Sequence, residues 1–237
     1  MYIFQHAKAT GLVTSDVATI LEILDQMTWL NGIDFSEVGM FLDYWDIKTP
    51  IQNAIPVGSI EFCEKILGKP IKAINLPEPL RELSIAGRMT GAFSMEETKR
   101  LLHEKEQLFL KSNSKVKSYF TGIYKNGDKL PNESSFFVSE VVNFQTEWRV
   151  FVHQGQILDI RRYTGSCFTN LDNAFFHAIR KMTALIDMPA FTLDVGLSED
   201  GRILPIEVHN FIACGLYGFE NKQILSMLKD AIQYEKG

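Results

Sequence analysis

No stretch of the chain approaches 18 consecutive apolar residues, so no segment reads as a membrane-spanning helix. The opening MYIFQHAKATGLVTSD has no basic stretch leading into an apolar core and does not read as a secretory signal. Cysteine is scarce. Cys63, Cys167 and Cys214 are odd in number, far apart and free of any CxxC pair. That excludes a disulfide framework and a zinc ribbon, and it fits a reducing cytoplasm. Neither GxGxxG nor GxxxxGK followed by Ser or Thr occurs, so the two commonest nucleotide loops are missing. Basic residues are outnumbered, 24 to 29, for a net charge of −5, which argues against a nucleic-acid partner.

What is present is an ordinary globular chain of 237 residues, 46% hydrophobic. At roughly 150 residues per domain it holds one large domain or two small ones. Its charge is uneven. Residues 99–129 carry eight Lys/Arg and three Asp/Glu, including Lys111, Lys115, Lys117, Lys125 and Lys129. Such a run is either a solvated hairpin or a grip for phosphate in an otherwise acidic protein.

The periodicity predicts mixed elements. Val17, Ile20, Leu21 and Leu24 mark one face of a helix capped by Ser15 or Asp16, and a strand is expected near 38–42. A turn at 55–59 feeds a helix over 60–67, and the proline-bearing stretch 70–81 reads as a linker. Ser94 with Glu97 makes a capping box. Strands follow at 107–110, 119–124 and 135–142, then hairpins 147–163 and 191–208 flanking a helix opened by Thr169 and Asp172. Ile224, Leu225, Leu228 and Ile232 mark a last helix. Helices and antiparallel hairpins in blocks predict an α+β fold.

Three constellations could carry chemistry. Asp194 and Glu207 lie near the ends of two largely apolar strands joined by a short turn, which places them opposite each other. Adjacent carboxylates repel unless a cation or a proton lies between them. With a nearby Asn they form a hard oxygen set suited to Mg²⁺; the other reading is a pair of solvent-facing acids. In the second hairpin, uninterrupted pairing about Gln154-Gly155 sets Glu147 against Arg162, with Arg149 on the same face and Arg161 pointing away. Two guanidinium forks beside an acid suit an anion site; a simple cross-strand pair would be worth at most about 1 kcal/mol. Third, Lys111 ends a strand and a polar turn bearing Lys115 and Lys117 follows, a pattern that can wrap phosphates.

Together these motifs, over residues 95–220, resemble the ATP-grasp superfamily of carboxylate–amine ligases. They are similar to a small bacterial and phage-associated branch with a lysine-bearing loop and two prominent arginines. Ile55–Phe62, Glu147–Val152 and Arg162-Tyr163 share phrases with that branch. The resemblance implies a pre-grasp α/β domain over 1–95 and an ATP-grasp domain over 96–237, with subdomains 96–140 and 141–237. It implies ATP and Mg²⁺ as cofactors. Lys111 and Lys117 would contact the nucleotide phosphates, the Ser139–Asn143 hinge, with Glu140, Val142 and Asn143, would hold adenine, and Glu147 would take the ribose. Asp194 and Glu207 would hold the metal, completed by His209 or Asn210, because His209 stands where the family usually has asparagine. Arg149, Arg162 and Lys117 would neutralise the transferring phosphoryl group, and Arg88, Gly215 and Tyr217 would contact substrate. The implied activity is ATP-dependent activation of a carboxylate for attack by an amine, on small-molecule or peptide substrates in the cytoplasm. The alternative is a nucleotide-binding protein without ligase activity that acts through a protein partner. Cys167 and Cys214 are expected to be packing residues, and His153 and His177 surface and helix-side residues.

Overall fold

Short apolar strands at the N-terminus assemble a parallel sheet. β1 (Tyr2–Gln5) lies between β2 (Gly39–Leu42) and β3 (Ile55–Val57), pairing Tyr2 with Gly39 and with Ile55. Parallel neighbours need crossovers; helices α1 (Ser15–Asn31) and α2 (Phe35–Val38) supply the first. The cap of α1 is Thr14, one residue earlier than expected, and its hydroxyl accepts from Val17 N–H. Asp16 instead accepts from the Leu216 N–H at 3.3 Å. Helix α3 (Ile60–Leu67) starts at Ser59, as the turn signal predicts, and ends at Gly68 in the left-handed conformation.

The computed structural model describes residues 1–114 and 120–236, and the chain divides into two compact units. The first comprises residues 1–71, 188–191 and those from 210 onward. Its last helix (Ile224–Lys236) is numbered α7. Tyr2 donates to the Leu225 carbonyl at 3.1 Å, tying β1 to that helix. The second unit comprises residues 72–187 and 192–209. Residues 72–95 lie in this second unit.

In the second unit, the short α4 (Leu83–Ala86) precedes β4 (Thr90–Ser94) and α5 (Met95–Lys105). The capping box is complete: Ser94 accepts from Glu97 N–H, and Glu97 reaches back to Ser94 N–H. β5 (Gln107–Ser112), β6 (Gly122–Lys125) and β7 (Ser135–Ser139) join β4 in an antiparallel sheet of order β4-β7-β5-β6. Leu102, Leu108, Leu110, Phe120, Phe136 and Val138 form its core. The other sheet has the order β11-β10-β8-β9, from β8 (Phe144–His153), β9 (Gln156–Gly165), β10 (Ala190–Ser198) and β11 (Ile203–Asn210). Helix α6 (Asn173–Thr183), capped by Asp172, covers one of its faces, with Trp148 edge-on to Phe175 at 5.0 Å. The architecture is α+β. Two expectations fail locally: His153 is buried at 7% exposure, and Cys167 is exposed rather than packed.

Candidate active site

Strand alternation separates the two faces of the second sheet. Trp148 takes the helix-covered face, and its neighbour Arg149 takes the other. On that face the four strands present one row of polar side chains. β11 supplies Glu207 and His209, β10 supplies Asp194, β8 supplies Arg149 and Glu147, and β9 supplies Tyr163.

The row is tightly connected. Arg149 Nε and Nη2 donate to Asp194 Oδ1 and Oδ2, both at 2.7 Å, and both side chains are almost fully buried. Glu207 accepts from the Lys111 ammonium at 2.6 Å on one oxygen and lies 2.5 Å from His209 Nε2 on the other. Burial opposes ionisation of Glu207. The His209 hydrogen bond and the His209 and Lys111 charges outweigh it, holding the carboxyl well below the usual range. One ligand atom from each of Asp194, Glu207 and His209 lies within 4.8 Å of the other two. Tyr163 Oη donates to Glu147 Oε2 at 2.7 Å and stands 3.5 Å from Asp194 Oδ2. Burial, the Asp194 charge and the Glu147 bond push its phenol far above the usual range, so the hydroxyl keeps its proton.

The register of the β8–β9 hairpin differs from the uninterrupted one. Pairing starts as expected, with His153 opposite Gln156 and Val152 opposite Ile157. Irregularities then fall between Phe151 and Val152 and between Glu147 and Trp148, leaving Leu158 and Tyr163 as extra residues on β9. Arg149 therefore faces Arg161, not Ile160, and Glu147 faces Thr164, not Arg162. A bulge inserts one residue and redirects the chain around it. Here the second bulge delivers Tyr163 to the acid that Arg162 was expected to meet. Arg161 pairs with Asp159, and the exposed Arg162 donates to the Ser166 carbonyl at 2.7 Å.

The remaining expected residues fall in several places. Lys117, with Lys115, lies outside the described residues. Val142 and Asn143 lie with Glu140 in the irregular connection from β7 to β8. Glu140 accepts from Met89 N–H at 2.8 Å and pairs with Lys105 at 2.8 Å. Arg88 is buried and donates to Ser139 Oγ, the Ala86 carbonyl and the Pro205 carbonyl. Burial lowers its pKa to about 10. With all three nitrogens engaged it braces β7 against β11. Asn210 lies on the opposite side of β11 from Glu207 and His209, and its amide donates to Glu235 at 3.0 Å within the first unit. Gly215 and Tyr217 follow β11 in the first unit. Tyr217 is half exposed with a backbone φ of 50°, an uncommon conformation outside glycine.

The donor set fits a divalent cation. Two carboxylates and an imidazole converge, and a carboxylate oxygen engaged by one hydrogen bond keeps a lone pair for a metal. The imidazole is the softer member of the set. Three carboxylates, Glu147, Asp194 and Glu207, face the two permanent cations Lys111 and Arg149, and a metal bound at His209 would displace any proton there. Sequence reasoning missed Tyr163 as a member of this row. Only its place beside Arg162 singled it out, since bulges leave no clear mark in a strand's alternation.

A search of curated proteins finds no match in sequence. Solved structures share the fold. The D-alanine–D-alanine ligase from Bacillus anthracis superposes with a TM-score of 0.57 at 14% identity, covering 100% of this chain and 99% of that one. The RimK domain protein ATP-grasp from Sphaerobacter thermophilus gives 0.57 at 14% identity, covering 99% of both chains. The ATP-grasp ligase PsnB, complexed with a phosphomimetic variant of its minimal precursor, Mg and ADP, gives 0.52 at 12% identity, covering 99% of this chain and 98% of that one. The family model for the ATP-grasp domain, R(2)K clade family 2, matches residues 87–227, more than half the chain and the whole of the polar row. This chain therefore belongs to the ATP-grasp proteins, in family 2 of the R(2)K clade.

Proposed function

We propose that the chain is an ATP- and Mg²⁺-dependent ligase that converts a substrate carboxylate to an acyl phosphate for attack by an amine. One observation carries this reading: a single sheet face lines up Glu147, Arg149, Asp194 and Glu207, with Lys111 joined to the last of them. Family membership supports the nucleotide. The fold-mates support the reaction class, since they include a D-alanine–D-alanine ligase and a ligase complexed with a precursor, Mg and ADP.

In the first step the substrate carboxylate oxygen attacks the γ-phosphorus and ADP leaves. In the second, the amine attacks the acyl carbon, loses a proton and expels phosphate. Neither step needs a side-chain nucleophile; both need positioning and neutralised charge. Asp194, Glu207 and His209 would hold Mg²⁺, which would supply positive charge against the negative charge developing on the phosphates. Glu147 would accept from the ribose hydroxyls, and the 140–143 hinge would present its backbone to adenine. Lys111 is paired with an acid here, and a polyphosphate offers it a partner of higher charge. Arg149 sits beside Asp194, where the γ-phosphate would lie. Lys117 would complete the cationic set in this reading, whereas Arg162, opposite Trp148, belongs to the other face of the sheet.

The test is thermal unfolding with and without MgATP, for wild type and Asp194→Asn. A ligand at 100 times its dissociation constant adds about 2.7 kcal/mol, which is a shift of several degrees for a chain of this size. A magnesium-dependent shift that shrinks in the variant is expected, followed by ADP release with acid–amine pairs. No shift in wild type overturns the reading. A shift with no ADP release for any pair favours a nucleotide-binding protein that does not ligate. Glu207→Gln should abolish Mg²⁺-dependent turnover while keeping nucleotide affinity.

A further inference from the structure

The row contains one hydroxyl that none of these roles uses. Tyr163 is the extra residue of the second β9 bulge, so its position is a local departure from regular pairing. Its ring lies 6.0 Å from the Arg149 guanidinium, and its oxygen stands between two acids, 2.7 Å from Glu147 and 3.5 Å from Asp194. A phenol has one proton. It can donate to only one of these carboxylates at a time, and in this structure it donates to Glu147.

We propose that the Tyr163 hydroxyl is a positioning group that couples Glu147 to Asp194, and so couples recognition of the nucleotide's ribose to occupancy of the cation site. This rests on the nucleotide reading above. The bond to Oε2 fixes the rotation of the Glu147 carboxylate and leaves Oε1 to accept from a ribose hydroxyl. The 3.5 Å approach to Asp194 sets up a competition for the same proton. Asp194, though paired with Arg149, still competes for the hydroxyl that Glu147 holds. A cation beside Asp194 weakens that pull, and the Glu147 bond strengthens. Cation and ribose then favour each other's binding, and such coupling is reciprocal.

The test compares ADP with 2′,3′-dideoxy-ADP by calorimetric titration, at saturating and at trace magnesium, in wild type, Tyr163→Phe and Glu147→Gln. Phenylalanine keeps the ring and removes only the hydroxyl. Losing the group that fixes the Glu147 carboxylate should cost Tyr163→Phe about 10-fold in ADP affinity. Its preference for ADP over the dideoxy analogue and the enhancement of ADP binding by magnesium should both shrink. Glu147→Gln should lose the same ribose preference, and the double variant should lose little more than either single one. A Tyr163→Phe protein with wild-type ribose preference and magnesium enhancement overturns the proposal. So does a uniform loss of affinity with both ratios intact, which marks a packing role only. If Tyr163→Phe does not fold, Glu147→Gln and the dideoxy analogue carry the test, and a wild type indifferent to the ribose hydroxyls overturns the proposal alone. A wild type that binds no ADP with magnesium overturns the nucleotide reading itself.

Discussion

Arg149 grips both oxygens of Asp194 at 2.7 Å, in a pair with almost no exposure to water. Removing one partner strands the other charge in a poorly hydrated place, at a cost of about 3–5 kcal/mol. Arg149→Met should therefore lower the urea midpoint steeply. Magnesium should restore more stability to Arg149→Met than to wild type, because the stranded Asp194 then gains a cation. Equal magnesium effects in the two proteins would show that Asp194 takes no part in cation binding.

Much of this arrangement was legible in the sequence. The capping box, the two hairpins, the closeness of Asp194 and Glu207 on adjacent strands and the α+β class all follow from local signals: polar caps, turn residues and alternating apolar positions. These signals fix element type and partner when each strand meets its nearest neighbour in the chain. They carry less information on register, where one extra residue changes every later pairing. That is why Arg162 was expected beside Glu147 and Tyr163 stands there instead. They are also silent on long-range partners, such as Lys111 for Glu207, 96 residues apart, or the Pro205 carbonyl for Arg88.

Arg88 gives a second expectation. Its three donors hold Ser139, Ala86 and Pro205, so its loss leaves buried acceptors unpaired in two sheets. Arg88→Met should destabilise by about 2–4 kcal/mol, one or more unsatisfied buried groups at roughly 1–3 kcal/mol each. The same variant should keep its MgADP affinity when measured below its unfolding transition. A selective loss of substrate or nucleotide binding with unchanged stability would instead return Arg88 to the role of a ligand contact.

Glu140 supplies a pH dependence. Lys105 and the Met89 N–H hold its carboxyl below its ordinary value of 4.5. A carboxyl with a lower pKa in the folded state contributes stability above 4.5, and that contribution fades as pH falls through the folded value. Glu140→Gln should therefore flatten the decline of the unfolding midpoint below pH 4.5 and leave the slope near neutrality unchanged. An acid limb identical to wild type would show that the Lys105 pair is too solvated to matter.

Two glycines of the same hairpin make a matched control for the bulged site. Both Gly155 and Gly165 have positive φ, 75° and 87°. A Cβ on Gly155 meets nothing within 4 Å, whereas one on Gly165 would lie 2.3 Å from the Gln145 carbonyl oxygen and 2.6 Å from Thr146 Oγ1. Alanine at Gly155 should cost only the left-handed backbone term, about 1 kcal/mol. Alanine at Gly165 adds a collision with backbone that cannot yield cheaply, bringing the loss to about 3 kcal/mol. For a chain of this length that is roughly 6–12 °C in midpoint. Gly165 pairs with Thr146, next to Glu147 and two residues past Tyr163. The shift needed to relieve the collision therefore moves the strand segment that aims both side chains, and Gly165→Ala should weaken MgADP binding where Gly155→Ala leaves it intact. Equal stability losses in the two variants would mean that β8 and β9 can slide at this end, and the bulge would then not hold Tyr163 in place.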